Sequence, residues 1–437
     1  MAIATTSPAT GETVQTFDEL SDDLVRGKLQ RAADAFAAYR ATTFTERGQL
    51  LSRAADILDA ESEQLARIAT LEMGKTYASA VAELKKCSAG CRWYAEYTAE
   101  ILADRPYEMP DATVYTRYEP LGPILAVMPW NFPYWQVFRF AAPTLMAGNV
   151  VLLKHASNVP RVALAIEDLL HRAGFAEGVF QTLLVGSGAI DAIVDDERVR
   201  GVTLTGSEAA GRAVGAAAGR NVKTSVLELG GSDAFIVMPS ADIAAAVKAG
   251  VASRMLNNGQ SCINAKRFIV HADIADEFER RMVAAMEELT VGDPMDENTD
   301  LGPLSSADAV QTLDRQVRDT VAAGARVLTD IPDGSPADEQ ELFGPVASVW
   351  RVGDVDEAIR VANDSRYGLG ASAWTGDHAE QQRFVAEIES GMVYVNAIVE
   401  STPGVPFGGT KSSGYGRELA HFGPRSFVNA KTVWVAR

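Results

Sequence analysis

The chain has 437 residues, of which 47% are hydrophobic and 22% charged, and it carries a formal net charge of −18. That length exceeds one typical core and predicts two or three domains of a soluble globular protein. The acidic balance argues against counterion-driven binding of nucleic acid and against docking on an anionic membrane; an anionic substrate would need a local cationic site.

Three cysteines cannot build a disulfide framework, so a reducing compartment is expected. Cys87 and Cys91 stand four apart on a predicted helix and read as small packing residues. No metal site is expected. The N-terminus, from Met1 to Pro8, lacks a basic region followed by an apolar run, and no apolar stretch is long enough to span a bilayer. A cytoplasmic location is the expectation.

In chain order, Asp18 to Ala103 reads as several amphipathic helices rich in Ala, Leu, Glu and Arg. The stretch from Glu108 to Pro120 breaks this pattern. Its Pro110-Asp111 turn and the alternating Val114–Tyr118 predict an extended hairpin. Strands at Ile124–Met128, Val150–Lys154, Thr182–Val185, Val202–Thr205 and Ser225–Leu229 then alternate with helices such as Val159–Ala173 and Glu208–Ala218. Short apolar strands separated by helices predict an α/β fold with a parallel, doubly wound sheet.

A second α/β series starts at Asp233. Its strands are Ala234–Met238, Arg267–Val270, Arg326–Leu328, Val346–Val352, Ala371–Trp374 and Val393–Asn396. Helices include Ala241–Leu256, Ile274–Leu289 and Val355–Ala362. The stretch Asp330–Gln340 reads as a loop, and Phe427–Val435 as a last strand.

Chemistry concentrates in three places. Cys262 ends the polar segment Asn257-Asn258-Gly259-Gln260-Ser261-Cys262, whereas structural cysteines usually sit among apolar neighbours. Glu228 closes a strand in Leu227-Glu228-Leu229-Gly230-Gly231. Asn131 follows another strand in Pro129-Trp130-Asn131-Phe132-Pro133. Thiol, carboxylate and amide are the parts needed for acyl transfer through a thioester. The turn Thr205-Gly206-Ser207 lies between a strand and a helix, where a backbone can approach a pyrophosphate. Strand Val150–Lys154 ends in a cation and leads to Ser157, where NAD sites often carry a carboxylate. A cation and a small hydroxyl there favour the extra phosphate of NADP, although these residues alone read equally as a solvated strand-end lysine beside an ordinary loop serine.

Together these segments resemble the aldehyde dehydrogenase superfamily. The resemblance covers nearly the whole chain. It also rests on Glu341-Leu342-Phe343-Gly344-Pro345-Val346, Pro406-Phe407-Gly408-Gly409 and Lys411-Ser412-Ser413-Gly414. Within the superfamily the chain is most similar to bacterial NADP-dependent succinate-semialdehyde dehydrogenases. The resemblance implies Cys262 as nucleophile, the Asn131 amide and the Cys262 backbone N–H as oxyanion donors, and Glu228 as the base that activates water. CoA-acylating relatives typically lack such a base. It further implies that Trp130, Lys154, Ser157, Gly206, Ser207, Leu229, Glu341 and Phe343 line the cofactor site, with NADP preferred and NAD the weaker alternative.

For the substrate, Arg139 lies eight residues after Asn131 and matches an arginine that pairs with a distal carboxylate in similar enzymes. Ser401 and Thr402 are expected to add hydroxyl donors, and Tyr134 and Trp135 to wall the aldehyde channel. Some relatives carry a second arginine six residues before the nucleophile, where this chain has Leu256. The usual lysine after Leu-Gly-Gly is here Ser232, followed by Asp233.

The resemblance implies a Rossmann-type cofactor domain over 1–107 and 121–231, an α/β catalytic domain over 232–407, and a small β oligomerisation element from 108–120 and 408–437. A homodimer or homotetramer is expected. The expected reaction is NADP-dependent oxidation of succinate semialdehyde to succinate. Alternatives are glutarate semialdehyde or an aliphatic aldehyde as substrate, or a catalytically silent protein of the same fold.

Overall fold

The computed structural model describes residues 3–325, 329 and 331–437. Two parallel sheets organise it. The first has the strand order Gly414–Tyr415, Thr224–Glu228, Gly201–Thr205, Pro123–Met128, Val150–His155, Phe180–Thr182. All its pairings are parallel except that of Gly414–Tyr415, which is antiparallel. Strand Val150–His155 is buried at every position. That follows from a near-continuous apolar run with helices on both faces. From Pro123–Met128 the chain runs outward to Phe180–Thr182, then returns to place Gly201–Thr205 on the other side. The order therefore reverses beside Pro123–Met128, and ligands of doubly wound sheets bind outside the carboxyl ends at such a point.

The second sheet is wholly parallel, in the order Ser348–Val352, Ala265–His271, Asp233–Val237, Gly370–Trp374, Met392–Val395. The chain passes from the first sheet to the second between Glu228 and Asp233. The segments Pro129–Pro133, Thr205–Ser207 and Glu228–Gly231 thus follow strands of the first sheet, and Cys262 precedes a strand of the second.

A third, antiparallel sheet joins Arg105–Tyr107, Ala112–Pro120 and Val428–Ala436. The hairpin thus begins before residue 108. Not all of 408–437 belongs to this extension, since Gly414–Tyr415 returns to the edge of the first sheet beside Glu228.

Four helices fill the N-terminal region: Asp22–Tyr39, Phe44–Ala60, Ser62–Met73 and Tyr77–Ile101. Ser21, Thr43 and Thr76 cap three of them, and Thr43 forms a reciprocal box with Glu46. A short hairpin, Ile3–Thr6 with Thr13–Phe17, precedes them and was not expected. Two other expectations are corrected. The outermost strand of the first sheet is Phe180–Thr182 rather than Thr182–Val185. The stretch read as a loop contains a helical turn, Pro336–Glu339, opened by a proline at its first position. The expected strand Arg326–Leu328 lies outside the described residues. Among the described residues no helix is long and apolar enough to cross a membrane.

Candidate active site

The segment before Cys262 has an unusual backbone. Asn257, Asn258 and Gly259 have φ of 56°, 58° and 75°, all left-handed. Asparagine and glycine are the residues that tolerate this region, which explains why an Asn-Asn-Gly run stands here. The side chains then fix the turn. Asn257 Nδ2 donates to the Asn131 carbonyl at 2.8 Å, and Asn258 Nδ2 donates to the carbonyls of Gly74 (2.9 Å) and Pro303 (3.0 Å). The Ser305 N–H donates to Gln260 Oε1 at 2.9 Å. The wholly buried Arg254 donates to the carbonyls of Gly259 (2.8 Å) and Leu342 (3.2 Å) and also bonds that of Gly344.

Cys262 emerges from this clamp partly exposed. Its own backbone N–H has no acceptor among the described residues. Lys266, near the start of the next strand, donates to the carbonyls of Ser261 (2.8 Å) and Cys262 (2.7 Å) and pairs with Glu341 at 3.1 Å. Burial pushes the Cys262 thiol up to about 12, and the positive charges of Arg139 and Lys266 oppose that rise. The thiol is therefore protonated at neutral pH in the free protein.

Asn131 is held against the same loop. Its Nδ2 donates to the Gln260 carbonyl at 3.1 Å, which leaves one amide N–H for another acceptor. The helix that follows, Trp135–Met146, has no side-chain cap of its own. Glu83, from the long helix Tyr77–Ile101, replaces it by accepting from the N–H groups of Tyr134 and Trp135, each at 2.8 Å. Glu83 is itself paired with the buried Lys75, whose ammonium sits 4.3 Å from the Phe132 ring centroid. These contacts fix the Pro129–Pro133 turn from behind.

Glu228 ends its strand with both carboxyl oxygens buried and without a hydrogen-bond donor. Gly408 lies against it with φ of 145°, a conformation that favours glycine, and a Cβ there would displace Glu228 Oε1, 2.4 Å away. Burial first, then the neighbouring Glu418 carboxylate, hold the Glu228 carboxyl well above the usual carboxylate range; Arg139 and Arg417 pull it down. A raised base is stronger once it loses its proton, which suits activation of water.

A cavity of about 500 Å³ is lined by Cys262, Phe132, Trp135, Arg139, Ser401 and Thr402, among others. Four of the five expected substrate residues therefore share one space with the nucleophile. Tyr134 does not. Its ring is fully buried and its hydroxyl donates to the Leu65 carbonyl at 3.1 Å, so it supports the wall from the core. Arg139 is more engaged than expected. Its Nε meets Glu418, its Nη2 donates to Thr205 Oγ1 at 3.1 Å, and its guanidinium lies 4.6 Å from the Phe407 ring centroid.

Lys86, also in the wall, escaped the sequence reading, as did Lys266, Arg254 and Glu418. A Lys85-Lys86 pair within a helix looks like a solvated face. For Glu418 a signal existed: a buried arginine requires an acceptor.

The expected cofactor residues gather at the carboxyl end of the first sheet. Ser207 caps the helix Glu208–Arg220 by accepting from the Ala210 N–H at 3.3 Å. The Gly206 N–H donates to the Glu228 carbonyl at 3.0 Å, tying the turn to the strand of the expected base. Leu229 packs on Gly211, and its N–H donates to Ser413 at 3.0 Å. Trp130 and Phe343 meet edge to face at 5.8 Å. Glu341 accepts from the Gly231 N–H at 3.2 Å beside its pairing with Lys266. Lys154 is buried, with no hydrogen-bond or ion-pair partner among the described residues and only a through-space pull from Glu19. An unpartnered buried cation near a small hydroxyl, Ser157, fits a dinucleotide bearing an extra phosphate.

The Ser232-Asp233 departure now has a place. Ser232 accepts from Arg267 Nε through its carbonyl at 2.9 Å, and Asp233 accepts from the Gly370 N–H at 3.1 Å while facing Lys266.

The sequence model of the aldehyde dehydrogenase family matches residues 1–338 and 326–433. The chain belongs to the aldehyde dehydrogenase family. It is 53% identical, over 457 aligned positions covering the whole of both proteins, to an NADP-dependent succinate-semialdehyde dehydrogenase of Mycobacterium tuberculosis. The succinic semialdehyde dehydrogenase of Streptococcus pyogenes, solved with NADP, superposes with a TM-score of 0.97 at 37% identity, with both chains fully covered. The succinate-semialdehyde dehydrogenase of Burkholderia pseudomallei gives a TM-score of 0.97 at 33% identity, covering 100% of this chain and 95% of that one.

Proposed function

We infer that this protein oxidises succinate semialdehyde to succinate with NADP as the preferred hydride acceptor. One observation carries the reading: the Cys262 thiol and the Arg139 guanidinium line the same cavity. A thiol and a cation in one cavity suit an aldehyde with a carboxylate at its far end. Full-length identity to enzymes named for that reaction supports it.

Cys262 attacks the aldehyde carbon once its thiol has lost its proton, giving a thiohemiacetal. The remaining Asn131 amide N–H and the unpaired Cys262 backbone N–H are the donors for the oxyanion, each worth about 3 kcal/mol in the transition state. When bound, NADP supplies the nicotinamide that accepts hydride. Glu228, as base, activates the water that releases the acid from Cys262. Lys154 and Ser157 hold the 2′-phosphate of NADP, and Trp130, Gly206, Ser207, Leu229, Glu341 and Phe343 surround the rest.

Strand Val428–Ala436 forms the outer edge of the small sheet and exposes Trp434 and Val435. Such an edge needs covering, and a second copy of the chain would cover it in a dimer or tetramer. The three free thiols suit a reducing cytoplasm.

The test is direct. Purified protein with succinate semialdehyde and NADP should form NADPH and succinate in equal amounts. If neither cofactor is reduced in an aldehyde-dependent way, the chain is a silent member of its fold.

A further inference from the structure

Arg139 is the expected anchor for the substrate's distal carboxylate, yet its charge is already balanced by Glu418 and its Nη2 is given to Thr205. Lys86 presents the other cation of this cavity, and its situation is different. Its Nζ donates to Ser401 Oγ at 2.8 Å and lies 4.8 Å from the Trp135 ring centroid. Among the described residues it pairs with no carboxylate. Glu83, on the same helix, is committed to Lys75 and to two backbone N–H groups. Glu400, at the exposed rim, attracts Lys86 only through space.

Ser401 sharpens the point. Its Oγ accepts from Lys86 Nζ and, at 2.9 Å, from Trp135 Nε1. A hydroxyl oxygen has two lone pairs, so both are used, and the hydroxyl hydrogen must find its acceptor elsewhere. None exists among the described residues. The cluster is thus an ammonium with two spare N–H groups and a hydroxyl with one spare O–H. It is a set of donors with a positive charge and no acceptor, on a wall where Leu256 brings no charge.

We propose that Lys86 joins the expected Ser401 hydroxyl in the seat of the substrate's distal carboxylate, adding its charge to the field of Arg139 in the same cavity. The two carboxylate oxygens take one bond from the ammonium and one from the hydroxyl. This rests on the reading of succinate semialdehyde as substrate and names the residues that recognise its charged end.

Burial and then Arg139 bring the Lys86 ammonium down to about 8, opposed by Glu400, Cys87 and Glu83. A bound carboxylate raises it again. KM for the charged aldehyde should therefore climb as pH rises through the region where free Lys86 loses its proton, while KM for an uncharged aldehyde does not follow.

The experiment compares kcat/KM for succinate semialdehyde and for pentanal in the parent, Lys86→Met, Lys86→Gln and Lys86→Arg, all with NADP. In the Met and Gln variants the preference for the charged aldehyde should fall by about 10- to 100-fold, through KM. Lys86→Arg should keep most of it, and the alkaline rise in KM should disappear because arginine stays charged. A parental preference in both charge-removing variants overturns the proposal. So does an equal fall for both aldehydes, which would mean that Lys86 only supports Trp135. If the parent itself shows no preference for the charged aldehyde, the substrate reading fails and the carboxylate seat with it.

Discussion

Arg139 and Glu418 form an ion pair almost wholly shielded from water, and the Glu228 carboxyl lies within the field of both. Two buried carboxyl groups thus share one guanidinium, and their titrations belong to the group rather than to either residue. The pairing joins the expected substrate arginine to the expected general base.

Arg139→Gln should therefore do more than weaken substrate binding. Arg139 lowers both carboxyl groups, so its loss should raise them and shift the acid limb of the kcat profile to higher pH. Stability should fall by about 3 kcal/mol on the alkaline side, where Glu418 is ionised and left unpaired, and by less at acid pH, where it is protonated. Urea unfolding at two pH values and a pH–rate profile check both parts. An unmoved acid limb would contradict the link to Glu228.

Asp233 gives a second pH prediction. Burial pushes its carboxyl up from 3.8 to about 7, against the pull of Lys266. The folded state holds the proton, so the contribution of this group is fully present below its unfolded value and is lost as pH rises through 7. Asp233→Asn keeps an acceptor for the Gly370 N–H. It should stabilise the protein by ~1–2 kcal/mol near pH 8 and hardly at all near pH 4. Thermal melts at both values read this out; the same gain at each would rule out titration as the cause.

Gly259 tests the clamp around the nucleophile. Its φ is 75°, and a Cβ there would meet the Gly344 carbonyl carbon at 2.3 Å. Gly259→Ala should cost about 3 kcal/mol or more and lower kcat, because the loop cannot keep both its turn and its contact with Gly344. A melting temperature within a degree or so of the parent would contradict the rigidity assigned to this turn.

Strands buried on both faces were readable because continuous apolar runs such as Val150–Leu153 need no partner to be recognised. The candidate site was legible because polar segments interrupt those runs beside strands, at Asn131, Glu228 and Cys262. What escaped depends on contacts far apart in the chain. Ile3–Thr6 is held by Thr13–Phe17 and by the bond from the Ala4 N–H to the Ser157 carbonyl, neither visible in a run of Ala and Thr. Tyr134 was placed in the channel because it neighbours Trp135, yet the start of the helix turns it to Leu65. Lys86 reaches the cavity only because its helix packs against Trp135–Met146. Sequence distance hides such a side chain among ordinary surface lysines.

For the cofactor, Ser157→Glu should place a carboxylate beside the unpartnered Lys154 and neutralise it. The ratio of kcat/KM with NADP to that with NAD should fall by about 10-fold or more. Steady-state kinetics with both cofactors decide this, and an unchanged ratio would remove the charge argument.

The account depends most on a thioester at Cys262 released by water that Glu228 activates. Glu228→Gln slows release by about 10²- to 10⁴-fold while leaving attack possible. Peptide mass spectrometry of this variant, after mixing with succinate semialdehyde and NADP, is the most direct measurement. The account predicts one succinyl group on the peptide that carries Cys262, formed together with a burst of NADPH. Steady turnover equal to the parent, with no acyl group on Cys262, would contradict it.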